Sequence, residues 1–380
     1  MALTTEEMLA RRDAMAAGTS PDQLTAVLDS RPVEVAPAED RDFRYYKPLV
    51  HAAEEYVTWA QTPGQRVYLG IPEFDRAMRG LAPQELLTIL GYAHSGKTVL
   101  LTQIILNNPD RRIVLFTPDE TRVLVLVKLA AIVHGVSVET MEERIAIGEQ
   151  DAIDMVRSTA TDHFPNLAVF DEGLGLDQMS RACGEVEEVL GRPELVIYDY
   201  IKLLPDHDDV VAAYNAIKRW GKGERVPLVV IQQSSRTKGR DGAVVDLDSG
   251  EFGGEQQSTF MLGVRRKQDQ AKAQIREIEA KLRGNPKDRE GLQAALEDNR
   301  DLLIRHKNTV TFNLIKNKRP PGRRVDDIDF RMDPETGKLA AMDGHLGEPR
   351  PVVRAHQAIQ NVPMFDDEAP WREDPDEEPF

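Results

Sequence analysis

Cysteine is almost missing from this chain: Cys183 is the only one in 380 residues. Intrachain disulfides and cysteine-built zinc sites are therefore excluded. Long apolar runs are missing as well. The best candidate, VLVLV followed by LAAIV, is interrupted by Lys128 and falls short of membrane-spanning length. The N-terminus, MALTTEEML, carries two glutamates where a secretory signal would place basic and then apolar residues. The expected compartment is the cytoplasm. Positive charge is also scarce, with 48 Lys and Arg against 64 Asp and Glu and a net charge of −16. At first sight that balance argues against nucleic acid. However, residues 366–380 hold eight acids and one arginine, so this tail supplies −7 and leaves −9 elsewhere. Local patches, not the total, must decide the question of partners.

What is present is ordinary for a soluble globular protein, at 41% hydrophobic and 29% charged residues. The length suffices for one large core with accessories, or for two domains. The chain is organised around Gln84–Pro109, which reads QELLTIL, GYAHSGKT, VLLTQIILNNP. Leu86, Leu87, Ile89 and Leu90 suit a buried parallel strand. Gly91, His94, Ser95, Gly96, Lys97 and Thr98 fall within the phosphate-loop pattern G-x-x-x-x-G-K-[ST]. Leu100, Leu101, Ile104 and Ile105 continue at helical spacing until Asn107-Asn108-Pro109 stops the helix. Gly91 and Gly96 permit torsions that curl N–H groups around a phosphate, and the new helix adds the positive end of its dipole. In this pattern Lys97 reaches the β- and γ-phosphates and the Thr98 hydroxyl holds Mg²⁺.

Upstream, two short helical patterns cover Thr5–Ala16 and Pro21–Leu28, and Arg31–Asp42 reads as a Pro- and acid-rich linker. Tyr46–Ala60 is amphipathic, with its apolar face meant for the chain's own core or for a neighbouring subunit. Downstream, strands and helices alternate. Strands are expected at Ile113–Phe116, Leu167–Phe170, Leu195–Tyr198 and Val226–Ile231, and helices at Thr121–His134, Leu174–Leu190 and Val211–Trp220. Such alternation predicts an α/β fold with a mostly parallel sheet and helices on both faces, whose ligands sit at the carboxyl ends of the strands.

Those ends carry the chemistry. Asp199 directly follows LVIY, the position from which a carboxylate orients the Mg²⁺ shell. The next residue is Tyr200, so a water-activating acid must come from another strand. Asp119 and Glu120, just beyond Ile113–Phe116, supply it, and one of them is the general base. Gln232, Gln233 and Arg236 end a third strand, where a glutamine can sense the γ-phosphate. The long Gly-rich loop that follows carries Arg236, Lys238 and Arg240, three cations suited to tracking the phosphates of single-stranded DNA without reading its sequence. The plain alternative is a solvated loop.

Residues 266–307 look like an inserted helical hairpin. Ala271, Ile275, Ile278 and Leu282 form one apolar seam, and Leu292, Leu296, Asn299 and Leu303 form the other, across a GNPKD turn. TVTFNLI then returns to strand alternation and ends in a basic cluster, Lys316-Asn317-Lys318-Arg319. That cluster is either a DNA contact or a cationic finger reaching a neighbour's nucleotide. Beyond residue 345 the composition turns polar and Pro-rich and is expected to be disordered. The division is thus an N-terminal arm and linker helix (1–62), a motor domain (63–345) and an acidic tail (346–380).

From Tyr68 to Met342 the chain resembles the RecA-like motor domain of DnaB-type replicative helicases, particularly phage versions. GIPEFDRAMRGLAPQELLTILG is similar to that family's entry into its phosphate loop, VLFTPDE to its second strand with the trailing catalytic acid, and IYDYIKLL to its metal-site strand. VVIQQSSR resembles its glutamine motif, GGEQQST its Gly-x-x-Glu-Gln stretch, and LIKNKRPPG the strand bearing its trans-acting basic fingers. The resemblance implies a RecA-like P-loop NTPase core using ATP and Mg²⁺. It also implies a homo-hexameric ring with nucleotides between subunits, and single-stranded DNA in the channel. It favours docking of the Tyr46–Ala60 helix on the adjacent subunit. The family register places Asp119 in the catalytic slot, whereas reach favours Glu120, because aspartate is one methylene shorter. The finger pattern Lys-x-Arg appears as Lys316-Asn317-Lys318-Arg319, leaving Lys318 and Arg319 as candidates. A primase-binding N-terminal domain is absent or shrunken to residues 1–40, and the hairpin has no counterpart. The expected function is an ATP-dependent, ring-forming DNA helicase that unwinds duplex DNA. Its rivals are a RecA-class recombinase or mediator and an ATP-gated DNA-loading factor. The tail, with Phe365, Trp371 and a terminal Phe380 among acids, resembles tails that dock a replisome partner through the last ring.

Overall fold

The computed structural model describes residues 49–207, 209–234, 257–284 and 287–342. The chain falls into two units, Met1–Thr58 and Trp59–Phe380. In the first, the described residues belong to helix α1 (Leu49–Gln61), on which Leu49, Val50, Tyr56 and Val57 are exposed. The helices read at Thr5–Ala16 and Pro21–Leu28, the linker at Arg31–Asp42 and the tail at 346–380 lie outside the described residues.

The second unit takes in the end of α1 from Trp59 and continues with α2 (Pro72–Met78), β1 (Leu86–Gly91), α3 (Lys97–Asn107), β2 (Ile113–Phe116) and α4 (Arg122–His134). Two further helices, α5 (Val138–Ala146) and α6 (Gln150–Ser158), precede β3 (Leu167–Phe170). Then come α7 (Leu176–Leu190), β4 (Leu195–Tyr198), α8 (Val210–Glu224) and β5 (Leu228–Gln233). The last part holds β6 (Phe260–Arg265), helices α9 (Lys267–Leu282) and α10 (Arg289–Arg305), and strands β7 (Thr309–Asn317), β8 (Val325–Met332) and β9 (Leu339–Ala341).

The strands form one nine-stranded sheet in the order β3-β2-β4-β5-β1-β6-β7-β8-β9. Pairing is parallel from β3 through β6 and antiparallel from β6 to β9. The sheet is buried on both faces because residues alternate between two apolar clusters. Leu87, Ile89, Ile197, Val229 and Ile231 pack with α3 and α4 through Leu100, Ile104, Ile105 and Leu129. Leu86, Val114, Val196, Tyr198 and Val230 pack with α7 and α8 through Met179, Cys183, Tyr214 and Ile217. A two-sided core of this kind makes truncation of a side chain such as Ile104, which is fully buried, cost about 2–5 kcal/mol.

Most expected elements are present with small shifts. The strand read as Val226–Ile231 begins instead at Leu228, because Pro227 has no N–H for the ladder; its carbonyl accepts from Val196 N at 3.0 Å. It also runs on to Gln233, so both glutamines lie on the strand. β6 was not legible in sequence. FMLGVR is buried at every position, so it shows no alternation, and it carries a glycine at its centre. The hairpin stands with its seam as read: Ala271 is buried, and Ile275, Ile278, Leu282, Leu292, Leu296, Asn299 and Leu303 are half-buried. Among the described residues no single helix is long and apolar enough to cross a membrane.

Candidate active site

The phosphate loop leaves β1 at Gly91, which has no room for a side chain. A Cβ there would lie 2.5 Å from both the Ser95 Oγ and the Val264 backbone oxygen. Gly96 is in the left-handed region at φ +105°, with a Val310 methyl 2.9 Å from where a Cβ would stand. Helix α3 begins at Lys97 without a side-chain cap, so its first N–H groups are left for a ligand. The buried Ser95 hydroxyl has no partner, whereas His94 is exposed at φ +60°. The Lys97 ammonium donates to Tyr92 O at 2.6 Å across the loop. Burial pushes its pKa down to about 8, with the Asp199 carboxylate pulling the other way.

Beside the loop a cleft is lined by Thr98, Thr102, Thr117, Glu120, Lys128 and Asp199, among others. Asp199 follows β4, and its N–H donates to Phe116 O at 2.9 Å. Burial, then Glu120, pushes its carboxyl up to about 7, opposed by Lys97. Glu120 sits in the turn after β2, where its N–H donates to Thr117 O at 3.2 Å. Its carboxylate meets the Lys128 ammonium at 2.5 Å, while Asp119 is exposed. The structure therefore brings Thr98, Asp199 and Glu120 to one cleft and leaves Asp119 off its wall. The hydroxyl of Thr98, the Asp199 carboxylate and the uncapped helix start fit a nucleotide phosphate with its divalent cation. Gln233 ends β5 in register with Gly91, and the neighbouring Gln232 is buried with both amide atoms unpartnered. Arg236, Lys238 and Arg240 lie outside the described residues.

The basic strand end is elsewhere. β7 starts beside the phosphate loop, with Val310 against Gly96, and runs antiparallel to β6 until Asn317 stands opposite Phe260. Eight steps of a strand span about 25 Å, so Lys316, Lys318 and Arg319 emerge at the opposite end of the strands from the phosphate loop. Arg319 is engaged within its own chain. It donates to Met78 O and to Gly80 O, pairs with Glu85, and stacks 4.5 Å from the Trp59 ring centroid. Lys318 is exposed, and it lies close enough to Lys218 on α8 to help burial lower that lysine's pKa.

The sequence profile described as the DnaB-like helicase C terminal domain matches residues 67–297. The chain belongs to this family. It is an ATP-dependent replicative DNA helicase, with a nucleotide-binding RecA-like core. A solved chain described as an ATPase domain superposes with a TM-score of 0.58 at 15% identity, over 78% of this helicase and 100% of that chain. A DnaB-like replicative helicase, solved in a study of its interactions with primase, gives 0.57 at 15% identity, over 89% of this chain and 78% of that one. At such identity the likeness speaks for the fold alone. No curated protein sequence matches.

Two residues of the helicase escaped sequence reasoning. Lys128 registered only as an interruption of an apolar run, although a lone cation between the buried Val125, Leu129 and Ile132 is itself a signal. Lys218 sits on an amphipathic helix and carries no motif; only tertiary structure brings it near Lys318.

Proposed function

We propose that this helicase hydrolyses ATP with Mg²⁺ at sites shared between neighbouring copies of a homo-hexameric ring, which moves along single-stranded DNA in the cytoplasm. One observation carries the reading. The phosphate loop and the Lys316–Arg319 cluster lie at opposite ends of neighbouring strands of one sheet, about 25 Å apart. A lysine cannot bridge that span within one chain, but head-to-tail stacking brings one copy's strand end to the next copy's loop. Repeated contacts of that kind close into a ring.

Within each site, Gly91–Thr98 cradles the phosphates and Lys97 pairs with them. Thr98 and Asp199 hold the Mg²⁺, which supplies charge neutralisation when bound. Glu120 takes the proton of the attacking water, a role for which Asp119 is the rival by family register. Gln233 senses the terminal phosphate. Lys318, with Lys316 beside it, reaches the neighbour's phosphates, and Arg319 holds the strand end in place. Arg236, Lys238 and Arg240 track the DNA backbone. The acidic tail docks a replisome protein through Phe380, so deleting Phe380 weakens that association and leaves unwinding by the isolated ring intact.

Mixed rings test the shared site. Lys318→Ala and Lys97→Ala subunits, each inactive alone, regain ATP hydrolysis when mixed, because some interfaces recover both parts. A mixing curve that shows only dilution would reject the trans assignment.

A further inference from the structure

Lys128 lies on the first helix after β2, eight residues beyond Glu120, and its ammonium stands 2.5 Å from the Glu120 carboxylate. It lines the same cleft as Thr98 and Asp199. Around Asp199 the charges are Glu120 and Asp119 against Lys97 and Lys128. Lys97 is drawn toward the phosphate loop by Tyr92 O, which leaves Lys128 as the cation on the acidic wall. Among the described residues, no group of three His, Cys, Asp or Glu forms a ready cation site. The chain by itself thus balances its carboxylates with an ammonium where a metal would otherwise be drawn.

We propose that Lys128 is a built-in counter-ion of the cleft. With no nucleotide bound, its ammonium holds Glu120 and neutralises the wall shared with Asp199, so that a divalent cation enters only together with phosphates. The inference rests on the reading of Thr98 and Asp199 as the metal side of the site. Arriving phosphates bring the negative charge that two lysines no longer balance. Lys97 would turn to them, and Thr98 and Asp199 would hold the cation that accompanies them. Lys128 keeps Glu120 oriented and is a positioning residue. The plain alternative is a structural tie between α4 and the turn after β2. A tie of that kind alters stability without altering metal affinity.

The test uses Mn²⁺ alone, followed by electron paramagnetic resonance, on the full-length protein without nucleotide. The wild type binds Mn²⁺ weakly. Lys128→Met and Lys128→Gln tighten that binding by at least about tenfold, since one positive charge is removed within contact range of the site. Lys128→Arg keeps the charge and leaves binding weak. In steady-state hydrolysis, Lys128→Gln lowers kcat more than it raises KM for Mg²⁺-ATP. Tight nucleotide-free Mn²⁺ binding by the wild type overturns the proposal even if no variant folds. So does unchanged Mn²⁺ affinity in folded Lys128→Met or Lys128→Gln. Failure of the wild type to bind Mg²⁺-ATP, read in a separate equilibrium binding measurement, would instead sink the underlying site assignment.

Discussion

Arg319 and Glu85 form an ion pair across 234 residues of sequence. Glu85 also accepts from Ala82 N at 2.8 Å just before β1, so the pair ties the end of β7 to the entry of the phosphate-loop strand. The guanidinium lies 4.5 Å from the Trp59 ring centroid and 5.1 Å from that of Phe260. Arg66 makes a cation–π contact of its own, 3.7 Å from the Trp59 centroid, and donates to Trp59 O at 2.8 Å near the C-terminus of α1. A mostly buried arginine with this set of partners is a clamp. Arg319→Ala should therefore destabilise the nucleotide-free protein by about 1–3 kcal/mol, because it leaves the half-buried Glu85 carboxylate without its charged partner. Glu85→Gln should reproduce part of that loss, whereas Lys318→Ala should leave urea denaturation unchanged and remove ATP hydrolysis. An Arg319→Ala protein of wild-type stability that cannot hydrolyse ATP would make Arg319 the finger.

The acids after β2 separate by side-chain placement. Lys97→Ala should abolish hydrolysis. Glu120→Gln should retain nucleotide and DNA binding while lowering kcat about 10²–10⁴-fold, the usual worth of a general base. Asp119→Asn should change kcat little. Steady-state ATPase assays beside equilibrium nucleotide binding make the distinction. The reverse ranking would give the base to Asp119.

Three cations after β5 make a charge argument. Neutralising Arg236, Lys238 and Arg240 together should weaken single-strand binding about equally for all sequences. It should also flatten the slope of log affinity against log salt by about 2, at roughly 0.7 per lost phosphate contact. Fluorescence anisotropy over a salt series reads both quantities. An unchanged slope would return the loop to a solvated role.

Cys183 offers a probe of the fold. It is buried against the sheet, and that burial pushes its thiol pKa up to about 12, with Glu224 and Glu187 adding to the effect. Native protein at pH 8 should resist iodoacetamide and react on unfolding. The sign for stability follows from the raised folded value. Below about pH 9 the thiol is neutral in both states, so its contribution is fully present. It is lost as pH rises toward 12, where the unfolded chain ionises first. Cys183→Ala should remove this part of the alkaline fall in stability, measured by denaturation between pH 8 and 11.

Local chemistry alone determined much of this protein. Glycines that must meet a phosphate, a lysine and threonine at fixed spacing, and acids placed within four residues of the end of apolar runs are constraints of short range. They were readable as a nucleotide site on a parallel sheet, and they carried the resemblance to ring helicases. The hairpin seam was readable for the same reason, since each helix repeats its apolar positions within two turns. Tertiary structure decided whatever depends on pairing across the chain. β6, uniformly buried, has no period to read, and only its place between β1 and β7 shows why it is apolar. Arg319 sits within a basic motif in sequence, yet Glu85, Met78 and Trp59 claim it in the fold. Glu120 and Asp119 are adjacent in sequence, and the turn after β2 sends one into the cleft and the other to solvent. Lys128 looked like a break in an apolar helix until the sheet placed Glu120 and Asp199 beside it. A charge acquires its role from the charges it is folded against, and those lie too far along the chain for a local pattern to report.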